Sequence, residues 1–369
     1  MKKSMKAVVA TVFALTSTFA MTSTAGASAP SVKNNDKCLK TQYGKSTKTG
    51  TTSFKCTFSS KTKKYTWTKV ATVATTLPPI DLAKLDKTGW PTKLIIGGVP
   101  AENVTTMQTK WDGLINLLKD ELGIPVEFYA GTSYAGVIEA AIAKKVDMVA
   151  WGAMSYIVSK LNGAKIEPIG ISKYVDGTTS YTSKLIVPTG SSIATIAGLK
   201  GKTVCFVSST STSGNLIPTE GILAAGLKMS DLTQSFKGTH DNSVLGLAAG
   251  QCDAAFAQEA TVAAIGTGTF SAMKASDYKT IWESGPIPNG PFTISSLLPA
   301  SFRAAVKNIM YTKMSKEYFV QKGYNGCTTV ATCIIVEDKN TASFVKVEDA
   351  FYDTMRKVCE ATKSTACKA

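Results

Sequence analysis

The sequence predicts an α/β protein of two core-forming lobes, preceded by a small basic module clipped by a disulfide. Three observations lead there. The chain has 369 residues, 44% of them hydrophobic, which suits two cores better than one. From Lys93 onward, β-prone apolar runs alternate with stretches of helical periodicity. Residues 33–69 hold ten Lys against one Asp, with Cys38 and Cys56 among them, and a segment so short needs a staple to hold a core.

The first element is an export signal. Lys2, Lys3 and Lys6 precede an apolar run from Ala7 to about Met21, and small residues cluster at Ala25–Ala29. This is the layout of a secretory signal peptide, expected over residues 1–29. No Cys follows the run closely, so lipid attachment through cysteine is not expected. No later segment reaches membrane-spanning length. The expected location is secreted or cell-envelope.

Residues 30–74 form the module, with β-prone stretches at 51–58 and 64–73 paired as a hairpin. Residues 75–91, with Pro78-Pro79 and Gly89-Trp90-Pro91, read as a linker. The eight Cys fit an oxidising compartment, and four local pairs suggest themselves: Cys38–Cys56, Cys205–Cys252, Cys327–Cys333 and Cys359–Cys367. With no CxxC and one His, no metal site and no cofactor are expected.

The α/β region opens with a strand at 93–96. A helix at 107–122 carries Trp111, Leu114, Ile115, Leu118 and Leu122 at helical spacing, closed by Gly123. A strand at 125–129, a helix at 134–143 and a strand at 146–151 come next. The pattern resumes with a strand at 203–207, a helix from Ser213, an apolar stretch at 223–227, a strand-like 233–237, a helix at 242–249 and a strand at 252–257. Such alternation predicts parallel sheets covered on both faces. Residues 299–369 read as mostly helical.

Two places carry chemistry. Ser208-Ser-Thr-Ser-Thr-Ser-Gly214 joins a strand end to a helix start, where free backbone N–H groups and hydroxyls suit an anion. The same run reads equally as one capping serine followed by loop. His240, the only histidine, sits with Asp241 in a polar loop at a strand's carboxyl end, where open α/β sheets take ligands. It can donate to an anion, and its charge is expected to answer pH. No Gly-x-Ser-x-Gly elbow is present, and Asp241 is adjacent to His240 rather than behind it, so a hydrolase or transferase is disfavoured.

Nine stretches, in order, resemble the phosphate/phosphite/phosphonate substrate-binding proteins of ABC transporters, the PhnD-like family. They are Ile96-Gly-Gly-Val-Pro100, Gly123-Ile-Pro-Val126, Thr132-Ser-Tyr-Ala-Gly-Val-Ile138, Val146-Asp147, Ser180-Tyr181, Ser211-Thr-Ser-Gly214 with Pro218, Gly238-Thr-His-Asp241, Gly250-Gln-Cys-Asp-Ala-Ala255 and Trp282-Glu-Ser-Gly-Pro-Ile-Pro288. The resemblance implies a two-lobed periplasmic-binding-protein-like fold of type II. It implies lobe one at 92–182 and 292–369 and lobe two at 183–291, with crossings near 181–186 and 287–293. It implies an oxyanion held by Ser211, Thr212, Ser213, Tyr134, Tyr181 and His240, without Lys or Arg. Relatives that take an aminoalkyl phosphonate add carboxylates. Glu259 matches one; the other lies in an Ile-Pro-x-Asp-Pro turn that here reads Ile287-Pro-Asn-Gly-Pro291. Gly290 therefore argues against an amine-bearing ligand.

The implied partners are the small oxyanion and a transporter permease. The net charge of +15 adds an anionic cell-wall polymer as a partner for residues 33–69. No nucleic acid and no oligomer are expected. The alternative is a wall-associated oxyanion sensor or scavenger.

Overall fold

The computed structural model describes residues 32–39, 46–49, 52–59, 64–69, 80–336 and 341–367. The expected signal peptide and residues 75–79 of the expected linker lie outside the described residues. The chain divides into two compact units, residues 1–72 and 73–369.

In the first unit, β1 (Ser46–Thr49), β2 (Thr52–Ser59) and β3 (Lys64–Lys69) make an antiparallel sheet in that order. The expected hairpin is β2–β3; β1 adds a third strand along the other edge of β2. Phe54, Cys56 and Trp67 are its buried apolar residues. So small a core leans on the Cys38–Cys56 bond.

The second unit begins with β4 (Leu94–Gly98), α1 (Val104–Leu122), β5 (Val126–Tyr129), α2 (Tyr134–Ile142), β6 (Met148–Ala150), α3 (Ala153–Leu161) and β7 (Ile166–Tyr174). The short β8 (Ser180–Tyr181) leads out to β9 (Ser183–Pro188), β10 (Thr203–Phe206), α4 (Ile217–Ala224), β11 (Thr233–Phe236), α5 (His240–Ala248), β12 (Ala254–Gln258), α6 (Glu259–Ala263) and β13 (Tyr278–Glu283). The chain returns through β14 (Ile287–Pro288) to β15 (Phe292–Ser295), α7 (Ala300–Thr312), α8 (Lys316–Lys322), β16 (Thr341–Lys346) and α9 (Asp353–Thr362).

Two sheets result, one per lobe. The larger runs β16-β7-β15-β6-β4-β5 and the smaller β11-β10-β12-β9-β13. Neither is wholly parallel, which corrects the sequence expectation. β4 pairs parallel with β5 and β6, but β15 enters antiparallel between β6 and β7. In the smaller sheet β9 is the antiparallel member, between β12 and β13. β9 and β15, the strands by which the chain enters each sheet from the other lobe, are reversed, and the edge strand β16 is also antiparallel to β7. β8 and β14 pair with each other at Tyr181↔Ile287 and Ser180↔Pro288, so the two crossings are tied side by side.

Local sequence accounts for the elements. Asn103 caps α1 by accepting the Thr105 N–H, and Gly123 ends it in the left-handed region at φ 70°. Trp111, Leu114, Leu117 and Leu118 of α1 are fully buried against Phe302, Val306 and Ile309 of α7. On the sheet's other face, α2, α3 and α9 enclose Val137, Tyr156, Ile157, Tyr352 and Val358. Val207, Leu216 and Ile217 of the smaller lobe join that second cluster. The apolar stretch 223–227 is the end of α4 and the turn after it. β16, hidden within a region read as helical, completes the edge of the larger sheet beside β7. All four expected disulfides form.

Candidate functional site

A cavity of about 980 Å³ opens between the lobes and is walled by both. Tyr134, Tyr181, Ser211, Thr212, Ser213, His240 and Glu259, all picked from sequence, line this one space. Several helix starts face it. Tyr134 opens α2 behind the Ser133 cap, Gly152 caps α3, His240 opens α5 behind the Thr239 cap, and Glu259 opens α6. Free N–H groups and the positive ends of these helices make the cavity hospitable to negative charge.

The hydroxyl run is more than a capped loop. Ser211 does cap, accepting the Gly214 N–H at 3.1 Å. Thr212–Leu216 then form a π-helical turn, in which the Leu216 N–H reaches back to the Ser211 carbonyl at 3.0 Å. Turns of this kind recur at functional sites because they bulge side chains out of register. Gly214 is required by close approach: a Cβ there would overlap the Val207 side chain. Ser211, Thr212 and Ser213 are each no more than 2% exposed.

Hydrogen-bond partners fix the polarity of these groups. The Ser211 oxygen already accepts from Gly214. The Thr212 oxygen accepts the Met154 N–H, from the other lobe, at 2.9 Å. His240 Nδ1 accepts the Gln258 N–H at 3.1 Å. With an acceptor position of each group occupied, the Ser211 and Thr212 O–H and the His240 Nε2–H are left to donate. Ser183, a residue the sequence did not single out, steadies the turn by donating its hydroxyl to the Ser213 carbonyl at 2.6 Å.

His240 corrects one expectation. It is 2% exposed, and burial pushes its pKa down to about 3. The ring is neutral at physiological pH, so it is a fixed donor and its charge does not answer pH in that range.

Three further features went unseen in the sequence. Lys110 and Lys184 line the cavity, against an expectation of neutral donors alone. Each is paired, Lys110 with Glu102 at 2.7 Å and Lys184 with Glu283 at 3.5 Å. The Thr182 hydroxyl, which lines the cavity, sits 2.6 Å from Glu259 and 2.8 Å from Glu283, holding two carboxylates near each other. Gly290 abuts the Trp151 carbonyl, and a Cβ there would overlap that oxygen. None has a local signature, because each depends on residues far apart in the chain.

Backbone contacts also cross the seam. The His240 N–H donates to the Ala101 carbonyl at 2.9 Å, beside the Thr212–Met154 bond. The lobes therefore touch at two members of the donor cluster, Thr212 and His240.

A family model described as the periplasmic substrate-binding protein of phosphonate ABC transporters matches residues 96–331. The phosphate-import protein PhnD of Mycolicibacterium smegmatis is 34% identical over 294 residues, covering 76% of this chain and 89% of that protein. The phosphonates-binding periplasmic protein of Escherichia coli is 26% identical, covering 61% and 66%. Among solved structures, PhnD1 of Prochlorococcus marinus in complex with methylphosphonate superposes with a TM-score of 0.63 at 18% identity, covering 74% of this chain and 99% of that one. At that identity the last is a likeness of fold.

Proposed function

The chain belongs to the phosphonate-binding family of ABC-transporter periplasmic substrate-binding proteins, and from that premise we propose that Tyr134, Tyr181, Ser211, Thr212, Ser213 and His240 hold its ligand. The protein is the solute-binding component of an importer, taking a phosphonate, phosphite or phosphate to a permease. The family binds its solute rather than transforming it.

The observation that carries the site assignment is the common polarity of Ser211, Thr212 and His240. Each accepts from a backbone N–H and so presents its own proton outward. A tetrahedral anion offers several acceptor oxygens, and each charge-assisted bond is worth about 1.5–3 kcal/mol net. Such a cradle favours unprotonated oxygens, since a P–OH facing three donors would find no acceptor among them.

Export fits the reading of Lys2, Lys3, Lys6 and the following apolar run as a signal peptide, with residues 92–182 and 292–369 as one lobe and 183–291 as the other. The ten Lys of residues 33–69 supply the charge for contact with an anionic wall polymer.

Calorimetry of the secreted form with phosphate, phosphite, methylphosphonate and sulfate tests the reading. Binding of at least one phosphorus oxyanion, lost when Ser211, Thr212 and Ser213 are all replaced by Ala in a folded protein, supports it. Undiminished binding in that variant refutes the site.

A further inference from the structure

Glu102, Lys110 and Asp241 line the same cavity as the donor cluster, and none of them is among the residues proposed to hold the anion. Asp241 follows His240 at the start of α5, in the smaller lobe. Across the seam stand Glu102, the Asn103 cap of α1 and Lys110 of α1, all in the larger lobe. The Asn103 backbone N–H lies near the Asp241 carboxylate and favours its charged form. Glu102 is salt-bridged to Lys110 at 2.7 Å, and its side chain is 19% exposed. One residue away, the His240 N–H bonds the Ala101 carbonyl at 2.9 Å. Closure thus brings Asp241 against the start of α1, next to a second carboxylate.

We propose that Asp241 and Glu102 form an interlobe latch, in which the charge on Asp241 sets how readily the cleft closes. This rests on reading the cleft as one that closes on a ligand. Two influences favour a charged Asp241 in the closed form: Lys110 and the Asn103 N–H at a helix start. Two oppose it: lost solvation and the neighbouring Glu102. His240 beside it is buried and neutral and adds no charge. The opposing pair prevails, because the carboxyl is pushed up to about 6, first by burial and then by Glu102. With the lobes apart, Asp241 regains water and leaves Glu102, so its affinity for a proton returns toward the ordinary carboxylate range.

Linkage fixes the sign. The closed form holds the proton more tightly than the open one. The help that a protonated Asp241 gives to closure is therefore complete below about pH 4 and is lost as pH rises through about 6. Asp241→Asn imitates the protonated carboxyl, keeping an acceptor for the Asn103 N–H without the charge. Glu102→Gln removes the repulsion and frees Lys110 to pair with Asp241.

The test reads closure without a ligand. Spin labels at the exposed Asn116 and Ser230 report the interlobe distance of the full secreted chain by pulsed dipolar spectroscopy. In the wild type, the open population should grow between pH 4.5 and 7.5; in Asp241→Asn it should stay constant. Phosphate affinity should then show a wild-type-to-variant ratio that worsens by about twentyfold over the same range, the part of the two-unit displacement that falls between those pH values. The ligand's own titration cancels in that ratio. Glu102→Gln should bind phosphate more tightly than wild type at pH 7.5. Equal distance distributions at both pH values in the wild type, or an Asp241→Asn variant that shifts as the wild type does, overturn the latch. Correct distances with no oxyanion bound at any pH leave the latch standing and remove the binding reading instead.

Discussion

The Thr212 hydroxyl oxygen accepts the Met154 backbone N–H at 2.9 Å, so one side chain belongs both to the donor cradle and to the seam between the lobes. Under the proposed function, grasping the anion and closing the cleft are coupled at that atom. A hydroxyl accepts from one lobe and donates to a ligand through the same oxygen, which a methyl in its place cannot do.

Thr212→Val keeps the shape and removes both functions. The Met154 N–H loses its partner and the anion loses a donor. Affinity for phosphate should fall by about 3 kcal/mol, roughly a hundredfold. Thr212→Ser retains the hydroxyl and should stay within about tenfold of wild type. Calorimetry on both variants checks this; a Val variant that binds like wild type contradicts it.

His240, the only histidine, gives an unambiguous nitrogen NMR signal. At pH 5 it should report a neutral ring protonated on Nε2, since burial pushes its pKa to about 3 and Nδ1 accepts from Gln258. Its folded-state value lies below the ordinary 6.5. Its contribution to stability is therefore complete above that pH and is lost as pH falls from about 6.5 toward 3. An imidazolium spectrum at pH 5 in the folded protein would contradict the assignment.

Gly290 bears on ligand choice. Its close approach to the Trp151 carbonyl leaves no room for a side chain, so no carboxylate can stand there. Glu259 is engaged with Thr182. Glu102 is paired with Lys110, and Asp241 is held toward its neutral form, so an ammonium entering the cleft would shed water for poor compensation. Phosphate, phosphite or methylphosphonate should bind more tightly than 2-aminoethylphosphonate. If the aminoethyl compound binds tenfold tighter than methylphosphonate, a carboxylate lining the cavity, Glu102, Asp241 or Glu259, accepts the amine. Gly290→Ala should destabilise the fold by about 1–3 kcal/mol through overpacking, read as a lowered denaturation midpoint.

The disulfides should differ in worth. Cys205–Cys252 closes a separation of 47 residues and Cys327–Cys333 one of 6. Loop-closure entropy gives about 4 kcal/mol for the first and about 2 for the second. Urea unfolding of the two paired Cys→Ala variants should rank them in that order, and a reversal would contradict the entropic account.

The parts of this structure that were readable in the sequence depend on neighbours in the chain. The α1 stripe of Trp111, Leu114 and Leu118 ends at Gly123 because helix period and a left-handed cap are local. The hydroxyl run and His240 stand out as polar residues at strand ends. Tyr134 and Tyr181 came only through the family resemblance, because a buried tyrosine also suits packing. The neutrality of His240 was misread, since burial is set by elements distant in sequence. Met154, Gln258 and Ala101 contribute backbone groups, which any residue type supplies and no pattern marks. β16 is a short strand whose order comes from β7 beside it, and its own residues read ambiguously.

The position of β15 has a consequence for how the molecule is assembled in time. β6 and β7 do not pair with each other; both pair with β15, which comes after them by more than a hundred residues. Until residue 292 is available, the middle of the larger sheet is a gap with two open edges. Chain synthesised from the N-terminus therefore cannot finish its first lobe before the whole of the second has been made. Contacts of such long range slow folding. The larger lobe should acquire protection against amide exchange late, with β6, β7 and β15 becoming protected together.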